Sequence, residues 1–197
     1  MKEYIVSIKS APCWEDVQPQ SIEQCLWSPN IAPAASVKAC FVEGKALYVL
    51  VSSQAAPTRA ENVGDNSSVW EDSCLECFLS FDGKSYMNLE ANANSALRAS
   101  FGAERRGRRF VKELGVVMPT AEASMTEEGW QVLFTVPVET VKQLWDVELK
   151  PGTEFRANFY SCGDKTPAPH FASWNPVETE QPDFHRPEFF GKLRIDG

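Results

Sequence analysis

No apolar run in this 197-residue chain approaches the roughly 18 residues of a membrane-spanning helix. Positive charge is scarce as well: 19 lysines and arginines stand against 27 aspartates and glutamates, for a net charge of -8. A nucleic-acid binder needs a basic stripe against phosphates, so that class is excluded. The one basic cluster, Arg105-Arg106-Gly107-Arg108-Arg109, reads as a solvated turn, with an anion contact as the alternative. Histidine is limited to His170 and His185, and no Ser/His/Asp set is suggested. The start, MKEYIVSIKS, lacks the apolar stretch and cleavage site of a signal peptide. Either the chain acts in the cytoplasm or its signal has been removed. Repeats, low-complexity tracts and linkers are missing too, so residues 1–197 are expected to form a single domain.

Six cysteines (Cys13, Cys25, Cys40, Cys74, Cys77 and Cys162) are too dispersed for a compact disulfide framework. Cys74 and Cys77 have C-x-x-C spacing but lie in the strand-like run CLECFLSF. Side chains three apart on a strand point to opposite faces, so a shared metal or redox pair is not expected there. Buried, reduced thiols are the expectation.

What is abundant is β patterning. SVKACFV and ALYVLVS alternate around Glu43-Gly44-Lys45, and CLECFLSF and SYMNLEANA flank Asp82-Gly83-Lys84, a strong hairpin signal. SALRASF follows; AEASM and WQVLFTV flank Glu127-Glu128-Gly129; EFRANFYS comes after Pro151-Gly152. One short helix, VETVKQLW, is predicted after Pro137. The fold class is therefore all-β: an antiparallel, jelly-roll-like β-sandwich with long loops at about 53–72, 102–109 and 162–190.

Alternation within the strands separates two faces. Leu75, Cys77, Leu79 and Phe81 oppose Glu76; Met87, Leu89 and Ala91 oppose Asn88, Glu90 and Asn92. Leu97 and Phe101 oppose Arg98, and Phe155 and Phe159 oppose Arg156, Asn158 and Tyr160. The second face thus carries planar groups that make directional hydrogen bonds. Trp70 and Trp174 stand in loops beside it. A sugar ring suits such a place: its C–H faces pack on indole, and its hydroxyls need paired donors and acceptors.

VWEDSCLECFLSF, FRANFYSCGD and SWNPVETEQPDFHRPEFFGKLRI together resemble the family 9 carbohydrate-binding modules and their stand-alone relatives. The resemblance covers essentially the whole chain. It implies a β-sandwich that holds a mono- or oligosaccharide between two tryptophans, without catalysis, as an accessory to a glycoside hydrolase in polysaccharide catabolism. By position, Trp70 and Trp174 are implied as the stacking walls, with Glu76, Arg98 and Asn158 as hydrogen-bonding partners. The phenylalanines and prolines of 173–191 would fasten that segment over the sandwich and hold Trp174 opposite Trp70.

Three alternatives stay open. A glycosidase would need Glu76 and Glu90 to face one another across a bond, about 5–5.5 or 6.5–9.5 Å apart. The neighbouring Arg98 is expected to keep a carboxylate ionised, which suits a binder better than a general acid. A haem-carrying sandwich would draw ligands from His170, His185 and Met118, although no spacing marks them. A protein-interaction role without sugar binding is the third. No cofactor is expected. Family relatives can hold calcium, but Asp65, Asp72 and Asp82 are scattered rather than gathered in an EF-hand-like loop.

Overall fold

The computed structural model describes residues 1–25, 27, 30 and 32–196. Two layers of strands enclose one apolar core. The first contains β5 (Cys74–Ser80), β6 (Tyr86–Asn92), β7 (Leu97–Gly102), the short β8 (Arg109–Phe110), β11 (Glu154–Cys162), β12 (Phe171–Ser173) and β13 (Gly191–Ile195). The second contains β2 (Gln20–Ile22), β3 (Ala35–Val42), β4 (Ala46–Ser53), β9 (Thr120–Met125) and β10 (Trp130–Pro137). β5 and β6 lie against β10, so the two layers face one another as a sandwich.

The expected hairpins form. Gly44 and Gly83 adopt φ of 66° and 67°, the left-handed conformation that tight β-turns require and that glycine enters without strain. In the second turn the Asp82 carboxylate accepts the backbone N–H groups of Lys84 and Ser85 and the Ser85 hydroxyl. The predicted helix is α1 (Val138–Trp145), entered at Pro137. No helix among the described residues is long and apolar enough to cross a membrane.

One strand departs from the antiparallel expectation. β1 (Glu3–Ile8) pairs in parallel with β13 through Glu3–Val6, then in parallel with β3 through Ser7 and Ile8. It therefore passes from one layer to the other and joins them into a single curled, mixed sheet.

The inward faces are those that alternation assigned. Leu75, Cys77, Leu79, Met87, Leu89, Ala91, Leu97, Phe155 and Phe159 all belong to the central core. The opposite face of β5, β6, β7 and β11 is not left to solvent, because the long loops close over it. That closure positions the candidate site.

Candidate functional site

The polar face meets three different fates along its length. At one end Asn92 donates to the Asp72 carboxylate at 2.7 Å and to the Asn62 carbonyl at 2.7 Å. Asp72 also accepts from the Asn62 backbone at 2.9 Å and pairs with Arg59 at 3.1 Å. Burial raises the carboxyl's pKa, but these hydrogen bonds more than offset it, and the pKa lies below the usual value. With Asp72 and Asn92 fully buried at its centre, this hub fastens the 53–72 loop onto the sheet.

At the other end the C-terminal segment is sealed down. Asn158 behaves like a strand edge toward Asn175: its Oδ1 accepts the Asn175 N–H at 2.9 Å and its Nδ2 donates to the Asn175 carbonyl at 3.0 Å. Phe78, Tyr86 and Tyr160 from the sheet pack with Val177 and Phe190, and Phe184 and Phe189 flank them. Phe184 stacks on Tyr160 with ring centroids 4.0 Å apart. Trp27 ties the same segment from outside, its indole N–H donating to the Thr179 carbonyl at 2.7 Å. The phenylalanines do fasten the segment, as the sequence suggested.

Between these ends a cavity of about 540 Å³ remains. Its floor is Glu76, Glu90 and Arg98, with Cys162 beside them. Its walls come from the three long loops: Trp70 from the first, Arg105, Arg106 and Arg108 from the second, and Asp164, Phe171, Phe184 and His185 from the third. Trp70 rides on a short 3-10 turn, Val69–Glu71. That turn is pinned from behind, where the backbone N–H groups of Asp164 and Lys165 bond the Trp70 and Glu71 carbonyls at 3.1 and 3.0 Å. Arg98 lies between two rings, its guanidinium carbon 4.8 Å from the Trp70 centroid and 5.0 Å from that of Phe110.

Glu76 and Glu90 are direct partners in the β5–β6 register and point to the same face. Burial, and then the neighbouring Glu90 charge, lift the Glu76 pKa well above the ordinary carboxylate range. Burial also lifts Glu90, to about 7, against the opposing pull of Arg98 and Arg108. Arg98, expected to keep a neighbouring carboxylate ionised, does pull Glu90 that way, but desolvation outweighs the ion attraction. A carboxyl that holds its proton can donate to a hydroxyl group, and its other oxygen can accept from one.

Arg108 donates to the Tyr86 hydroxyl and to Nδ1 of His185. An imidazole nitrogen that accepts carries no proton. Consistently, burial and then the Arg108 charge drive the His185 pKa far below its usual value. Burial and the Glu71 charge raise the pKa of Asp164.

Of the five residues proposed from sequence, Trp70, Glu76 and Arg98 converge on the cavity, while Trp174 and Asn158 do not. Trp174 is fully buried in the central core, with ring centroids 5.5 Å from Phe159 and 6.5 Å from Tyr4. Its ring presses on Gly191 so closely that a Cβ there would stand 2.3 Å from the indole. The two-tryptophan wall is corrected accordingly: Trp174 holds the sandwich together, and Phe171 and Phe184 supply the further aromatic surface of the cavity. Asn158 is corrected to a clasp.

The remaining sequence alternatives separate. Glu76 and Glu90 stand side by side on one floor rather than across a gap. His185 lines the cavity, His170 is buried with its Nδ1 3.0 Å from the Ala168 carbonyl, and Met118 is 37 % exposed before β9. Asp65, Asp72 and Asp82 are each engaged by local hydrogen bonds: Asp65 with the Leu97 N–H, Asp72 in its hub, and Asp82 in its turn.

A β-sandwich whose sheet face carries a polar-floored, aromatic-sided cavity of this size offers a concave site on the scale of a small-molecule ligand. The profile of carbohydrate-binding family 9 matches residues 10–195, and the chain belongs to that family. It is similar to a protein from Bacteroides uniformis ATCC 8492 to which carbohydrate binding is provisionally ascribed, at 27 % identity, with 99 % of each chain covered and a TM-score of 0.83. It is also similar in fold to a family 9 module from Caldicellulosiruptor kristjanssonii in complex with cellotriose, at 16 % identity. All of this chain and 94 % of that one are covered, with a TM-score of 0.68. The glucose complex of a family 9 module from the same organism gives 15 % identity, coverage of 100 % and 96 %, and a TM-score of 0.69. No match is found among curated proteins.

Proposed function

We propose that the cavity binds the end of a saccharide reversibly and without catalysis. The observation that carries this reading is the convergence of Trp70, Glu76, Glu90 and Arg98, on four different elements, onto one cavity in a chain of family 9. One sugar ring packs its C–H face on the side of Trp70 not taken by Arg98, with Phe171 and Phe184 as further apolar contacts. Glu76 and Glu90 accept from and donate to ring hydroxyls, and Arg98 donates. A buried hydroxyl left without a partner would cost about 1–3 kcal/mol, so this mixed floor selects for a polyol rather than an apolar ligand.

Catalysis is disfavoured by geometry. Inverting and retaining glycosidases both place two carboxyls on opposite sides of the scissile bond. Here the raised pKa values suit acid chemistry, but the two side chains rise from adjacent strands toward the same side of any bound sugar. The role is then accessory, holding a sugar for a separate glycoside hydrolase. One stacked face and a few exchanged hydrogen bonds correspond to dissociation constants of roughly micromolar to millimolar.

Titration calorimetry with glucose, cellotriose and a panel of other sugars tests the proposal. At least one sugar should bind at one site per chain, and Trp70→Ala should abolish that heat while leaving the circular dichroism spectrum unchanged. Silence across a glycan array, or binding that survives Trp70→Ala, overturns it.

A further inference from the structure

Beneath the cavity lies a group of side chains that the saccharide reading does not use as a group. Cys74 on β5 and Cys162 on β11 are direct register partners, and Glu76 stands two residues from Cys74 on the same face. All three side chains are buried. The Cys162 sulfur is 3.1 Å from the Glu76 Oε1, and the Cys74 sulfur is 4.0 Å from the same oxygen. The three donor atoms lie within 4.8 Å of one another.

We infer that Cys74, Cys162 and Glu76 form a binding site for a thiophilic divalent cation of the zinc or cadmium type, with the cavity as its entrance. Two sulfurs on one tetrahedral zinc stand roughly 3.8 Å apart, so side-chain torsions need close the group by about an ångström at most. Two thiolates and one carboxylate suit a borderline-soft d10 ion and reject calcium and magnesium, which demand oxygen. Cys162 and Glu76 line the cavity, which leaves a fourth position open to water. Binding releases the two thiol protons, and the Glu76 proton where that carboxyl holds one, to solvent and changes no oxidation state. The other cysteines cannot substitute. Cys77 points into the opposite face, Cys40 lies on β3 in the other layer, and Cys13 and Cys25 are exposed near the start of the chain.

The site shares Glu76 and its entrance with the saccharide reading, and it is tested without sugar. The full chain carrying Cys13→Ser and Cys25→Ser, fully reduced, is titrated with cadmium and followed by thiolate-to-cadmium charge-transfer absorption. A band saturating at one ion per chain is expected. Cys162→Ser should remove roughly half the band and weaken binding by about 10-fold or more, whereas Glu76→Gln should keep the band and weaken binding. Absorption-edge fine structure on the zinc-loaded chain needs no further variant, and should show two sulfur and at least one oxygen neighbour. The absence of a band, an unchanged band in Cys162→Ser, or a zinc shell without two sulfurs overturns the inference.

Discussion

One sheet face, built from the same four strands, ends in two opposite conditions. Around Glu76, Glu90 and Arg98 it is open to a cavity; around Asn158, Tyr160 and Phe78 it is sealed under residues 175–190. Both halves show the same polar alternation in sequence, so polarity alone does not mark a binding surface. What differs is the covering segment. Where Asn158 meets the backbone of Asn175, its hydrogen-bonding capacity is consumed inside the protein. Where Glu76 and Glu90 face each other, no covering backbone satisfies them, and the raised pKa values record that deficit.

The two tryptophans put this contrast to its largest test. Trp174→Ala would open a cavity among Tyr4, Phe159 and Gly191, and large-to-small core changes of this kind cost about 3–5 kcal/mol. A fall of that size is expected in the unfolding free energy extrapolated from urea titration. Any loss of sugar binding should follow the unfolded fraction. Trp70→Ala should do the reverse, shifting stability by no more than about 1 kcal/mol while eliminating binding. Equal effects of the two substitutions on stability would erase the distinction between the halves.

The same contrast explains what could be foreseen. Strand positions and faces were legible because period-two alternation is local, and Glu76, Glu90, Arg98 and Asn158 were all assigned to the correct face. The cover was not, because it arrives from segments far away in sequence. The inward turn of Trp174 is hidden in the sequence because β12 spans only Phe171–Ser173, too short to read as a strand. Its alternation was nonetheless informative: Phe171 pairs with Cys162 and Ser173 with Tyr160. Phe171 therefore shares the cavity face, and the next residue after Ser173 turns inward. Likewise, C-x-x-C spacing points from Cys74 to Cys77, whereas its neighbour across the sheet, Cys162, is set by a register of 88 residues' separation. The walls at Asp164, Phe184 and Arg108 depend on loop paths that no periodicity encodes.

A second prediction sharpens the open half through pH. The folded pKa of Glu90, about 7, exceeds the ordinary value of 4.5, so between those values the folded state holds a proton that the unfolded state has released. Stability from this group is therefore fully present below pH 4.5 and is lost as pH rises through 7, by an amount on the order of 3 kcal/mol at most. Glu76 and Asp164, also raised, act in the same direction. Asp72 and Asp82, both lowered, act oppositely, losing their contribution only as pH falls through the acidic range. His185, held neutral by burial, opposes Glu90, Glu76 and Asp164 in the same window, its contribution growing as pH rises through the ordinary imidazole range. In chelator-treated buffer, a His185→Gln background isolates the carboxyls, and its urea midpoint should fall from pH 5 to pH 8. Glu90→Gln should flatten much of that slope and stabilise the protein at pH 8. An unchanged slope would mean that Glu90 is solvated in the folded protein.

The sealed half is tested by Asn158→Ala, with a smaller effect. The substitution leaves the Asn175 N–H and C=O without their partners in a buried setting, a loss of about 1–3 kcal/mol. The damage should be graded along the segment. Asn175 remains anchored by the Lys2 N–H at 2.7 Å and by its own donation to the Phe189 carbonyl at 2.7 Å, and Phe184 and Phe190 keep their aromatic contacts. Hydrogen exchange should therefore accelerate at 174–177 more than at 188–191. Saccharide affinity should drop only several-fold, because Phe184 and His185 are loosened while Trp70, Glu76 and Arg98 stay in place. If affinity instead vanished with the fold intact, Asn158 would belong to the site after all, and the boundary between the open and sealed halves would have to be redrawn beyond it.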